Sequence, residues 1–120
     1  LDIPSFLKNV DAQIEAGVKG IIIGGSLGES STITHQERIQ LLTACLQYCG
    51  EKIDILINVA EGATHNAIHL AQAAQENGAD GIMLLPPMMY RPTDKEVVQY
   101  FTDVATSIDI PILVYNNPVD

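Results

Sequence analysis

Four short apolar runs recur along the chain at a stride of about 30 residues, the length of one strand-plus-helix unit. They are Gly20-Ile21-Ile22-Ile23-Gly24, Ile53-Asp54-Ile55-Leu56-Ile57-Asn58-Val59, Gly81-Ile82-Met83-Leu84-Leu85 and Pro111-Ile112-Leu113-Val114-Tyr115. The last run is aliphatic without alternation, which predicts a strand covered on both faces, and Asn116-Asn117-Pro118 stops it at once. Between the runs, apolar residues return at helical spacing. Phe6, Val10 and Ile14 form one face of an initial helix that ends at Gly17. Ile39, Leu42, Cys45, Leu46 and Cys49 form the next, opened by the capping box Thr34-His35-Gln36-Glu37 and closed by Gly50. Thr64 is the expected cap of a third helix, with Ile68, Ala71 and Ala74 inward before Gly78. A second capping box, Thr93-Asp94-Lys95-Glu96, precedes Val97, Phe101, Val104, Ala105 and Ile108.

The resulting order, α-βα-βα-βα-β, predicts an α/β fold with a wholly parallel sheet. Right-handed crossovers allow either an open doubly wound sheet or a segment of a barrel. Regular stride, long helices and short strands suit a barrel, yet four strands cannot close one that needs eight. The expectation is one domain over residues 1–120, cut at both ends, because the chain opens on a helix and closes on a strand.

Composition narrows the function. Fifteen acidic residues against six basic ones give a net charge of −9, with no basic stripe, so a nucleic-acid partner is not expected. The apolar runs are strand-sized and no signal segment opens the chain, so neither a membrane nor export is expected. The only cysteines, Cys45 and Cys49, stand i,i+4 on one helix, which suits buried, inert thiols in a reducing cytoplasm better than a disulfide.

In a parallel layout, all loops that follow strands share one face, and chemistry collects there. Gly24-Gly25-Ser26-Leu27-Gly28-Glu29-Ser30 is rich in glycine and hydroxyls; it is either a tight turn or a cradle for a small carboxylate at Ser26 and its neighbouring amides. It has no Walker lysine and no G-x-G-x-x-G, so a nucleotide is not indicated. Glu29 suits a hydrogen bond to loop amides, with a general base as the sharper alternative. Tyr115, at the expected carboxyl end of its strand, is either a core tyrosine or a proton relay. The apolar loop Pro86-Pro87-Met88-Met89-Tyr90-Arg91-Pro92 is long enough to cover a site or an interface. His65 and His69 have metal-ligand spacing but no third ligand, so no metal is expected. His35 is expected to be solvated.

Taken together, these loops resemble the dihydrodipicolinate synthase/N-acetylneuraminate lyase family of Schiff-base aldolases. The resemblance rests on Gly25-Ser26-Leu27-Gly28-Glu29-Ser30, on Gly78-Ala79-Asp80-Gly81 with its strand and Pro86-Pro87, and on Tyr115-Asn116-Asn117-Pro118, in that order along the chain. It implies a (β/α)8 TIM barrel of which this chain is about strands two to five. It also implies a lyase, an aldolase or dehydratase, that forms an imine between a lysine and pyruvate or a related 2-oxo acid. Tyr115 would be catalytic as the proton relay. Gly25, Ser26 and Leu27 would bind the substrate carboxylate, and Met89 and Tyr90 would lie in an active-site or interface loop. No metal or organic cofactor is implied. A homotetramer is the usual assembly of such proteins.

The imine lysine would fall beyond Asp120. Lys19 and Lys52 precede strands, while Lys8 and Lys95 belong to helices, so the 120 residues alone are expected to be inactive. Two departures separate the chain from the family's synthases: Leu27 stands where they carry a second threonine, and Met89 where they carry a tyrosine lent across the subunit interface, with Tyr90 one residue away. Both favour an aldolase or dehydratase acting on 2-keto-3-deoxy sugar acids over lysine-pathway synthesis. A non-catalytic carboxylate-binding or scaffold domain is the rival from another class.

Overall fold

Sequential parallel strands are the architecture of a barrel wall, and that is the sheet this chain builds. In the computed structural model, which describes residues 3–24, 34–49, 53–61, 63–86 and 93–114, the elements are α1 (Ile3–Glu15), β1 (Gly20–Ile23), α2 (His35–Cys49), β2 (Asp54–Val59), α3 (Thr64–Glu76), β3 (Gly81–Leu84), α4 (Asp94–Ser107) and β4 (Ile112–Val114). The sheet order is β1-β2-β3-β4, every pair parallel, with Ile21 opposite Ile55, Ile57 opposite Ile82, and Leu84 opposite Val114. A doubly wound sheet reverses its strand order at a switch point. This sheet never reverses, so right-handed crossovers carry every helix to the same side. The chain is a (β/α) barrel segment.

One face of the sheet therefore makes the core. Ile55, Ile57, Val59, Ile82 and Leu84 are fully buried there, beneath Leu42 and Cys45 of α2, Ala67, Leu70, Ala71 and Ala74 of α3, and Val104 of α4. The inward stripes differ in phase from the hydrophobicity pattern. In α2 the buried residues are Arg38, Leu41, Leu42, Cys45 and Cys49, with Ile39 and Leu46 only half-buried. In α3, Ala67 and Leu70 join Ala71 and Ala74, and Ile68 sits at the margin. In α4, Tyr100 is buried and meets Phe101 edge-to-face at 5.5 Å, while Ala105 is exposed.

Strand β4 also departs from expectation. Leu113 is 51% and Val114 58% exposed among the described residues, so the expected cover on both faces is not seen in them. Apolar residues were chosen for both faces, but among the described residues only β3 flanks it.

The punctuation explains the element ends. Thr34 and Glu37 form a reciprocal capping box, each backbone N–H donating to the other's side chain at 3.0 Å. Thr93 and Glu96 repeat it at 3.0 and 3.1 Å. Thr64 is not a cap: it is the first helical residue, and Ala63 occupies the capping position without a side-chain hydrogen bond. Gly17 and Gly78 end α1 and α3 at φ of 96° and 92°, a region costly for any residue with a Cβ.

The Gly78–Gly81 motif is structural throughout. Ala79 is buried. The Asp80 carboxylate accepts from the Ile55 N–H at 2.8 Å, and the Asp80 N–H donates to the Ile55 carbonyl at 2.8 Å. A Cβ on Gly81 would stand 2.9 Å from the Pro111 carbonyl, so glycine alone lets β3 enter the sheet this close to its neighbour.

Candidate active site at the carboxyl ends of the strands

Parallel register brings the carboxyl ends of all four strands to one rim: Ile23, Val59, Leu84 and Val114 are the last residues of their strands. The residues carrying the expected chemistry follow those ends in the chain. Gly25, Ser26, Leu27 and Glu29 come after β1, Met89, Tyr90 and Arg91 after β3, and Tyr115 after β4; all of these lie outside the described residues.

What is described is the ground on which the first of these loops stands. β1 leaves the sheet at Gly24, whose φ is +82°. A Cβ there would lie 2.6 Å from Arg38 Nε, so both backbone and space demand glycine. The Gly24 carbonyl, turned out of the strand ladder, accepts a hydrogen bond from Asn58 Nδ2 at 3.0 Å. Asn58 is the penultimate residue of β2, on the sheet face opposite the helices, and only 2% exposed. Its Oδ1 has no hydrogen-bond partner among the described residues. Burying an unpaired acceptor costs about 1–3 kcal/mol, so an aliphatic residue would have served the core better.

Arg38 reaches the same place from the first turn of α2 and is 4% exposed. Burial lowers its pKa from the usual value, and the negative charge of Glu61 opposes that shift. Glu61, just past β2, pairs with His35, whose side chain stays 38% exposed, so His35 is solvated as expected and also paired. The His35–Glu61 pair thus joins the start of α2 to the end of β2, while Asn58 holds the Gly24 carbonyl and Arg38 borders Gly24.

Sequence reasoning passed over Arg38, Asn58 and Glu61. Two signals were present: Asn58 interrupts an aliphatic strand, where asparagine is disfavoured. Arg38 is in phase with Leu42, Cys45 and Cys49 at i+4, i+7 and i+11.

The other titratable groups lie elsewhere. His65 and His69 are exposed on α3, and no cluster of three metal-ligating side chains occurs among the described residues. The Cys45 and Cys49 sulfurs are 3.8 Å apart and buried in the helix layer, with both thiols free. Burial first, and the Cys49 hydrogen bond second, push the Cys45 thiol up to about 12. A thiol so rarely ionised is a poor nucleophile at neutral pH. No helix among the described residues is long and apolar enough to cross a membrane.

A sequential parallel sheet, helices on one side and a polar rim at the strand ends define a barrel-type enzyme fold. More particularly, the chain belongs to the dihydrodipicolinate synthetase family, whose model matches residues 1–120. It is 38% identical over 109 residues, 91% of this chain, to a 4-hydroxy-tetrahydrodipicolinate synthase of Lachnoclostridium phytofermentans, of which it covers 37%. It is also 38% identical over 98% of its length to the synthase of Campylobacter lari, covering 40% of that protein.

Solved structures agree in fold. A dihydrodipicolinate synthase of Bacillus anthracis superposes with a TM-score of 0.95 at 29% identity, over 99% of this chain and 41% of that one. A prophage protein of the family from E. coli, in complex with pyruvate, superposes at 0.92 and 32% identity, over 99% and 40%. The chain therefore spans about two fifths of the length of the relatives it matches.

Proposed function

We propose that the protein carrying this chain is a Schiff-base-forming lyase, an aldolase or dehydratase, acting on pyruvate-type 2-oxo acids or 2-keto-3-deoxy sugar acids. The observation that carries this reading is family membership over residues 1–120, combined with a parallel sheet whose strand ends lead into each of the motif loops. Pyruvate bound in two of the matching structures, from E. coli and Acinetobacter baumannii, supports the substrate class.

A lysine on the strand that follows this segment attacks the 2-oxo carbon and expels water. The resulting imine withdraws electrons from the adjacent carbon, so that a carbon–carbon bond forms or breaks, or a β-hydroxyl leaves. Tyr115 carries protons to and from the carbinolamine and substrate hydroxyls. Gly25, Ser26 and Leu27 hold the substrate carboxylate through amides and one hydroxyl. Met89 and Tyr90 close the site or the subunit interface. The protein works in the cytoplasm as a homo-oligomer, a tetramer by family likeness.

The relatives named 4-hydroxy-tetrahydrodipicolinate synthase favour a second reading, synthesis of that product. Leu27 and Met89 weigh against it, because each replaces a hydroxyl of the relay. Borohydride reduction of the full-length protein with pyruvate is expected to leave one stable adduct on lysine; no mass increase contradicts the imine. A panel of pyruvate with aldehydes beside 2-keto-3-deoxy acids separates synthase, aldolase and dehydratase, and a protein that binds pyruvate without an adduct is the scaffold alternative.

A further inference from the structure

The rim holds a buried polar side chain that the proposed chemistry has not used. Asn58 is inside β2, flanked by Ile57 and Val59, and almost wholly buried. Its amide orientation is settled by chemistry, since the Gly24 carbonyl can only accept and so must face Nδ2. We infer that Asn58 is the positioning residue of the first strand-end loop: its Nδ2 clamps the Gly24 carbonyl and thereby sets the peptide plane from which Gly25, Ser26 and Leu27 depart. The inference rests on the proposed role of that loop in holding a 2-oxo acid carboxylate.

Three observations converge on it. Gly24 is at the point where β1 leaves the ladder, so its carbonyl has lost a strand partner and takes a side-chain donor instead. Arg38 fills the space on the α2 side where a Gly24 side chain would stand, while Asn58 holds the Gly24 carbonyl from β2. Asn58 Oδ1 is buried without a partner among the described residues, which marks a side chain kept for its polarity rather than for packing. Because a peptide is planar, fixing one carbonyl fixes the direction of the N–H across the same bond. A carboxylate bound through loop amides depends on that direction, while the electronics of an imine formed elsewhere do not.

The full-length protein with Asn58→Leu, which keeps the branched shape at a larger volume and removes the donor, tests this. Two quantities are read: the pyruvate concentration that half-saturates borohydride trapping, and hydrogen exchange of the peptide covering residues 24–30 without ligand. The expected result is half-saturation raised about 5- to 30-fold with trapping at saturation unchanged, exchange of that peptide about tenfold faster, and a melting temperature within a few degrees of the parent. Asn58→Gln, which keeps an amide donor, is expected to restore part of the affinity.

Half-saturation within twofold of the parent overturns the inference, as does unchanged exchange. So does a large fall in melting temperature with affinity intact, because that describes a purely structural amide. Where Asn58→Leu does not fold, Asn58→Asp, of equal volume and lacking the donor, takes the same two measurements. If the parent itself gives no adduct with any 2-oxo acid, the proposed function fails by itself. The exchange measurement then decides the clamp alone: faster exchange of residues 24–30 upholds it and unchanged exchange overturns it.

Discussion

The two faces of this sheet are built from similar residues but are covered differently among the described residues. On the helix side, Ile55, Ile57, Val59, Ile82 and Leu84 are completely buried. On the other side, which in a barrel faces the interior, Ile22 is 39% and Leu113 51% exposed, Leu56 and Met83 are half-buried, and the polar Asn58 is buried near the rim. A side chain closed in by helices holds the fold through the contacts it makes. One at the strand ends holds a loop. In a barrel the division runs along the strands: side chains pack on both faces of the sheet, and chemistry collects in the loops after the carboxyl ends.

The largest break in the comparison should come from the helix side. Ile57→Ala removes a fully buried side chain at the centre of the sheet and is expected to cost about 2–5 kcal/mol in urea unfolding. The same kind of truncation at Val98, 64% exposed on α4, should cost well under half as much; equal losses would contradict the account of the core.

Gly24→Ala comes next. It forces a Cβ into a positive-φ position and within 2.6 Å of Arg38 Nε, and about 2–4 kcal/mol is expected by the same unfolding measurement. An unchanged midpoint would mean that the loop entrance tolerates a different backbone.

Thr93→Ala removes a reciprocal cap at the exposed start of α4 and should cost about 1 kcal/mol, seen as a small shift in urea midpoint. Thr64→Ala, at a position that caps nothing, should be close to neutral.

The smallest effect near neutrality is a pH effect. The Cys45 thiol is raised in the folded protein, from 9.0 to about 12, so folding favours its protonated form. Its contribution is fully present below pH 9 and is lost as pH rises from 9 towards 12. Iodoacetamide should label Cys45 far more slowly than an unfolded thiol at pH 8, and equal rates would refute the burial.

Much of this was legible along the chain. The stride of apolar runs located all four strands, and two Thr-x-x-Glu boxes located two helix starts because each donor and acceptor is local. The choice between open sheet and barrel was not legible, since it depends on strand order, a property of long-range pairing. Helix faces were read a few tens of degrees off. Ile39 and Leu46 pulled the α2 stripe one way, while Arg38, whose aliphatic stem can be buried with its charge beside Glu61, was not considered. Tyr100, buried in α4, was also absent from the sequence reading. At the rim, composition singled out loops that lie outside the described residues. Asn58 and Glu61 were not, because their roles arise from strand neighbours that no local window contains.

The proposed placement of the chemistry at the strand-end rim is tested most directly at Tyr115, the residue that follows β4. In the full-length protein, Tyr115→Phe keeps the ring and removes only the hydroxyl. Turnover and melting temperature measured on one preparation should show kcat lowered by about 10²- to 10⁴-fold with a melting temperature within a few degrees of the parent. Turnover left intact beside a lowered melting temperature would contradict the account, and would make Tyr115 a core residue.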